Sequence, residues 1–371
     1  MKDTQKTLLH LSLISGVGPA TTKKLVAFFG LDNISRVYSS RSYELRKSGI
    51  SESLSQKIID GLNNFDVLEK EVLLADSNNI KIVTMVDDDY PQVLRSVHVP
   101  PVVLYVKGEL VWKERNALAF VGARKAGYYA QRVLHKIIPD CINNGFAIVS
   151  GGALGADSMA HVEAIEQGGK TVAVLGSGLL CLYPARNRPL FNQIVESGGA
   201  LVSSFPLEAQ PIAENFPARN RIISGLSLGT IVVQAAEKSG ALITAYYALD
   251  QGREVFAVPG CVDDILSAGC HKLIQKGAKL VNSSADIFDE LCNVCNLNKD
   301  CGSDEVNIDK VEIDDCTDFE RNLLDYCVIP RSVDDISSDL KKDVNDIHIV
   351  LFDLQIKGKV EQDFSGMWQK K

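Results

Sequence analysis

A glycine-rich turn, Ser150-Gly151-Gly152-Ala153-Leu154-Gly155-Ala156-Asp157, follows the apolar run Phe146 to Val149 and leads into a helical pattern through His161 and Ile165. Glycines let successive backbone N–H groups converge with no Cβ in the way, and the helix start behind them adds roughly half a positive charge. That junction is suited to a phosphate. A second turn, Gly176-Ser177-Gly178, follows the apolar run Thr171 to Leu175, and Asn187 lies just beyond it. In Asn215 to Ile223, Pro217 marks a helix start whose first turns carry Arg219, Asn220 and Arg221. Cations there oppose the helix dipole, which points to an external anion; a pairing of one arginine with Glu214 or Glu237 is the alternative. Arg124 after the run Ala117 to Val121, Lys170 at a strand start and Lys238 after Val233 are expected to bring further positive charge to the same edge. One cradle would suit a nucleotide. Two cradles beside a basic groove suit consecutive phosphates of a single strand, with Tyr183, Phe205 and Phe216 supplying aromatic faces for bases.

Residues for bond-breaking chemistry are sparse. Asp157 and His161 stand four apart with Glu163 nearby, a spacing that could hold a general base. The competing reading has Asp157 stabilising the helix start and His161 packing on a sheet. The acidic residue that would hold a dinucleotide ribose is missing about 20 positions beyond the first turn, and no Walker pattern with Gly-Lys-Ser or Gly-Lys-Thr is present to serve ATP hydrolysis. Cys292, Cys295, Cys301 and Cys316 lack a second Cys-x-x-Cys pair and are not expected to bind metal. No catalytic residue and no cofactor are expected.

These residues need a scaffold, and the sequence describes one. From Ala117 to about Asp289, apolar strand-like runs alternate with helical patterns, which predicts an α/β fold with a mostly parallel, Rossmann-like sheet; ligands in such sheets sit at the carboxyl ends of the strands, where the glycine turns fall. Residues 1–78 read as a helical domain whose Gly16-Val17-Gly18-Pro19 turn is either a helix-hairpin-helix phosphate contact or a tight bundle connection. The core domain spans 79–290, an acidic linker 291–316 and a three-helix winged-helix domain 317–371. In that last domain the expected recognition helix, Ile347 to Ile356, has neither Arg nor Lys, which favours a protein contact over groove reading.

With 371 residues and 46% hydrophobic content, the chain can bury a large core. No run approaches the roughly 20 apolar residues of a membrane span, and nine dispersed cysteines fit reduced thiols, so a cytoplasmic protein with no membrane partner is expected. The net charge of −8 argues against a nucleic-acid partner, but residues 300–325 alone hold ten acids against Lys310 and Arg321. Without that segment the chain is neutral.

Six stretches, 150–161 (SGGALGADSMAH), 170–187, 215–227 (NFPARNRIISGLS), 239–249, 252–260 and 267–281, occur in an order that resembles the DNA-processing protein A family, also called Smf. The resemblance covers residues 5 to 368 and implies a sterile-alpha-motif-like helical head, an extended Rossmann-like core and a winged-helix tail. It further implies a non-enzymatic homodimer that binds single-stranded DNA and helps load the RecA recombinase in natural transformation. Carried onto this sequence, the strand would lie across Arg124, Ser150, Gly151, Gly152, Lys170, Gly176, Ser177, Gly178, Asn187, Arg219, Asn220, Arg221 and Lys238. Leu180, Ser204, Gln234 and His271 depart from the family pattern, which has Asp, Glu, Glu and Asn there. An enzyme of another class, a nucleotide N-glycosidase with a phosphoribohydrolase-like glycine turn, would need Asp157 or Glu163 as its acid.

Overall fold

The computed structural model describes residues 1–113, 115–294, 319, 323–324, 326–327, 331–340, 342–356, 359–362 and 367–370. The chain divides into two compact units, Met1–Cys301 and Gly302–Lys371.

In the first unit, helices α1 (Asp3–Leu13), α2 (Pro19–Phe29), α3 (Ser42–Lys47), α4 (Glu52–Leu62) and α5 (Phe65–Ser77) precede the sheet. Gly16, at φ +88°, turns the chain between α1 and α2 in a conformation that a Cβ would oppose. The boundary expected at residue 78 separates helices from strands but not cores. Leu8, Leu25 and Ile58 share one buried cluster with Tyr105, Leu175 and Leu201 of the sheet.

Two strands, β1 (Lys81–Thr84) and β2 (Val103–Gly108), form an antiparallel edge. Then β3 (Ala117–Val121), α6 (Tyr128–Asn143), β4 (Ala147–Ser150), α7 (Ala156–Glu166), β5 (Thr171–Val174), α8 (Arg188–Glu196) and β6 (Ala200–Ser203) wind in one direction. The chain returns through α9 (Asn215–Gly225) to place β7 (Gly229–Val232) on the other side of β3, followed by α10 (Gly240–Asp250), β8 (Glu254–Ala257), α11 (Ala268–Gln275), β9 (Lys279–Leu280) and α12 (Ser284–Val294). The order across the sheet is β1-β2-β6-β5-β4-β3-β7-β8-β9, with β3 to β9 parallel. This is the expected α/β, mostly parallel architecture.

Period-two alternation decides which side chains meet which layer. In β3, Leu118 and Phe120 join α6 and α7 in one core, whereas Ala119 and Val121 join Ile222, Ile223 and Ala245 of α9 and α10 in another. Because winding reverses between β3 and β7, the loops that leave those two strands diverge and open a crevice at their carboxyl ends.

The second unit has α13 (Val333–Leu340), α14 (Val344–Ile356) and an antiparallel hairpin of β10 (Val360–Gln362) with β11 (Trp368–Lys370). Leu323, Ile336, Ile347, Leu351 and Trp368 form its core. The helix expected at 319–327 falls only partly within the described residues, and the expected linker, with Cys295, Cys301 and Cys316, lies outside them beyond residue 294.

Candidate nucleic-acid interface

The crevice between β3 and β7 is a cleft of about 480 Å³. Arg124 comes to it from the β3–α6 loop, Asp157 from the start of α7, Phe216, Arg219 and Asn220 from α9, and Ser239 to Thr244 from α10 and the turn before it. Phe216 is its aromatic wall. The guanidinium carbons of Arg124 and Arg219 lie 5.9 and 5.8 Å from the Phe216 ring centroid, and the Tyr183 ring lies 5.9 Å away. Arg124 is exposed and Tyr183 is 45% exposed, so a cation and two aromatic faces meet solvent together. Lys238 is exposed on the β7–α10 loop, one residue before Ser239 of the cleft wall.

Arg219 is different in kind. It is only 6% exposed; its Nη1 donates to the carbonyls of Gly151 and Val174, the latter at 2.6 Å, and its Nε donates to Asn220 Oδ1 at 3.0 Å. Burial lowers its pKa to about 10, against the opposing pull of Asp157. Asp157 is likewise 7% exposed, and burial raises its carboxyl above the ordinary range despite Arg219 and the Ala153 and Gly151 amides. If attraction prevailed, the acid would shift down and the base up. Both shift the other way, so desolvation outweighs their Coulombic gain.

This pair corrects the reading of the first cradle as an open anion site. Gly151 N and Ala153 N donate to Asp157 Oδ2 at 3.2 and 3.3 Å, so the turn already holds an anion of its own. Ser150 Oγ is also committed, donating to Phe120 O at 2.6 Å. Asn187 braces the turn from behind, donating from Nδ2 to Gly152 O and Ser158 Oγ, each at 2.8 Å. In the second cradle, Gly178 N donates to Ala209 O at 2.8 Å and Ser177 O accepts from Ser203 Oγ at 2.8 Å. Gly176 presses against Phe216, where a Cβ would lie 3.0 Å from the ring. The two turns shape and brace the cleft wall more than they offer free amides.

Two further residues are not where the sequence reading puts them. Lys170 precedes β5 and so lies at the amino end of the sheet, about 13 Å from the rim by strand rise. There its Nζ meets Glu109 and Ser197 O. Arg221 follows Arg219 by two positions, and residues so spaced on a helix point to different sides. It lines a separate cavity of about 180 Å³ beside Gly18 and Pro19 of the N-terminal hairpin. Phe205 lines that cavity too, apart from Tyr183 and Phe216. The structure thus brings Arg124, Arg219, Asn220 and Lys238 to one rim and separates Lys170 and Arg221 from it. Glu237, an alternative partner for the arginines, pairs with Lys272 instead.

The β3–α6 loop that carries Arg124 is held from several sides. Ala123 N donates to Gln234 O at 2.7 Å, Gly127 N to Gln234 Oε1 at 3.3 Å, and Ala156 N to Ala123 O at 3.2 Å. Gln234, one of the departures from the family pattern, therefore still bridges: its Nε2 reaches Asp264 Oδ2 at 3.3 Å. Gly155 approaches this loop so closely that a Cβ would collide with the carbonyl oxygens of Ala123 and Arg124, and its φ is +81°. Gly155→Ala is expected to cost about 1–3 kcal/mol, read as a lower urea midpoint. An unchanged midpoint would show that the loop is free to retreat.

The family model for DNA recombination-mediator protein A matches residues 81–292. The chain belongs to this family. Among curated members, Protein Smf of Synechocystis is 38% identical over 291 residues, 76% of this chain and 71% of that protein. DNA processing protein DprA of Streptococcus pneumoniae is 37% identical over 276 residues, covering 67% of this chain and 96% of that protein. The S. pneumoniae family member's crystal structure covers 78% of this chain and 98% of that one, with TM-score 0.67 and 33% identity. DNA processing protein A of Helicobacter pylori, described for its single-stranded DNA binding mode, covers 58% of this chain and 97% of that one, with TM-score 0.52 and 27% identity. Family membership makes this a DNA-processing protein of recombination, and among the described residues no helix is long and apolar enough to cross a membrane.

Proposed function

We propose that the protein binds single-stranded DNA along the carboxyl rim of its sheet, protects it and helps load the RecA recombinase onto it, acting as a homodimer and without catalysis. The observation that carries the binding reading is the Phe216 ring with two guanidinium groups 5.9 and 5.8 Å from its centroid, one of them exposed, in the switch-point cleft. An exposed cation beside stacked-base platforms is what an unpaired strand requires, and every base presents a π-face to such a wall. The H. pylori relative's single-stranded DNA binding supports the same substrate. In this reading Arg124 and Lys238 neutralise phosphates, Phe216 and Tyr183 take bases, and Arg219, Asp157 and Asn187 hold the wall in shape. The hairpin and helices of the C-terminal unit are read as parts of a winged helix. Its α14 exposes Ile349 and Phe352, which suits a protein partner better than a phosphate backbone.

The glycosidase alternative gains nothing from the geometry. Asp157 is committed to two amides beside Arg219, and Glu163 accepts from His135 and Gln167. Anisotropy titrations with labelled oligothymidine test the proposal. Arg124→Ala is expected to weaken binding about tenfold and lower the salt slope by about one, and Phe216→Ala to weaken it about tenfold with the slope intact. Unchanged affinity in both would reject the site.

A further inference from the structure

The rim does not end at the cleft. Beyond Arg124, the same loop presents Lys125, exposed, and α6 then opens on Tyr128, which is 74% exposed. Tyr128 is the most exposed aromatic among the described residues, and its neighbours are two exposed cations in a chain whose net charge is negative. The segment is also rigid: Ala126 N closes a turn onto Ala123 O at 3.2 Å, Gly127 N is held by Gln234, and Tyr129 donates from its hydroxyl to Pro259 O. A pinned segment that carries Arg124, Lys125 and, at the start of α6, Tyr128 leads directly away from the cleft residue Arg124 and is preorganised to meet more of the same strand.

We propose that Lys125 and Tyr128 form a second segment of the single-stranded DNA track, Lys125 neutralising a phosphate and Tyr128 stacking a base outside the cleft. This rests on the reading of the cleft as a DNA site, and its occupant is the continuation of that same strand. The contact is reached only by a strand long enough to leave the cleft, so its signature is dependence on length.

The test is anisotropy on the full chain with oligothymidines of about 5 and about 20 nucleotides, a range set by ordinary single-strand site sizes. Tyr128→Ala is expected to weaken the long oligonucleotide about tenfold and leave the short one unchanged, Tyr128→Phe to bind as the parent does, and Lys125→Ala to reduce the salt slope by about one on the long oligonucleotide only. Parent-like binding of the long strand by Tyr128→Ala and Lys125→Ala, while Arg124→Ala and Phe216→Ala are impaired, overturns the extension and leaves the cleft reading standing. If all four variants bind normally, both fall. A change of oligomeric state in Tyr128→Ala without DNA, seen by size-exclusion with light scattering, overturns it in favour of a second copy as the occupant.

Discussion

Arg219→Ala is expected to lower folding stability by about 3–5 kcal/mol, because it leaves the Asp157 carboxyl buried with no cation beside it. The guanidinium also bridges Gly151 O and Val174 O, the ends of β4 and β5, so its loss orphans two carbonyls at the point where the cleft wall turns. Arg124→Ala, at an exposed position of the same cleft, should leave stability within about 0.5 kcal/mol of the parent. Urea denaturation with oligothymidine titrations separates the two roles: Arg219→Ala loses midpoint and affinity together, Arg124→Ala loses affinity alone. Adding Asp157→Asn to Arg219→Ala should recover much of the stability, since it removes the stranded acid while keeping an acceptor for the Gly151 and Ala153 amides. A fully stable Arg219→Ala protein would mean that the pair is not buried as described, and the wall would need another support.

How much of this could be read beforehand follows from the range of each signal. The strands and helices from Ala117 onward were legible because apolar runs alternate with helical patterns and glycine turns fall between them, all local properties. The run 117–121 is a strand at those positions, and the runs 146–149 and 171–175 contain the strands 147–150 and 171–174 to within one residue at an end. The cleft was half legible. Arg124, Arg219, Asn220 and Lys238 do gather at one rim, but the sequence cannot distinguish an arginine that faces solvent from one that closes a core. What separates Arg219 from Arg124 is Asp157, brought beside it from another strand connection, a long-range contact. Lys170 was misplaced for a geometric reason that the sequence did contain, since a residue before a strand stands at the opposite end from one after it. Arg221 was misplaced for a helical one, since positions two apart diverge. Tyr128 carried a signal too, next to Arg124 and Lys125, but only its exposure distinguishes it from a core aromatic.

The two glycine turns illustrate a wider point about such cradles. Convergent amides attract whichever anion is nearest, and a carboxylate four to six residues along the same chain has a far higher effective concentration than a phosphate in solution. Asp157 occupies the first turn for that reason. Binding then passes to groups that the fold leaves unsatisfied at the rim, which are exposed cations and aromatic faces.

His161 supplies the other large effect, and it is a dependence on pH. The ring is wholly buried on α7, the helix that starts at the cleft wall, and burial followed by the Arg219 charge lowers its pKa from the ordinary 6.5 to about 3. Thr171 Oγ1 donates to Ile148 O at 2.8 Å, so it accepts from His161 Nδ1 at 2.7 Å, and Nε2 remains a buried lone pair with no partner. A proton on Nε2 would have nowhere to donate. Between pH 6.5 and about 3 the unfolded chain therefore binds a proton that the folded one refuses, so this contribution is present above 6.5 and is lost as pH falls through that window. Asp157, shifted upward by burial, acts with the opposite sign and only where its own carboxyl titrates. At 1.36 kcal/mol per pKa unit, the histidine is worth up to about 5 kcal/mol by the bottom of the window. His161→Asn keeps a donor for Thr171 and cannot titrate. Urea midpoints for parent and variant, compared from pH 7 to pH 4, should diverge in slope, with the parent losing more stability; parallel curves would mean that His161 accepts its proton in the folded state and that α7 loosens to let it.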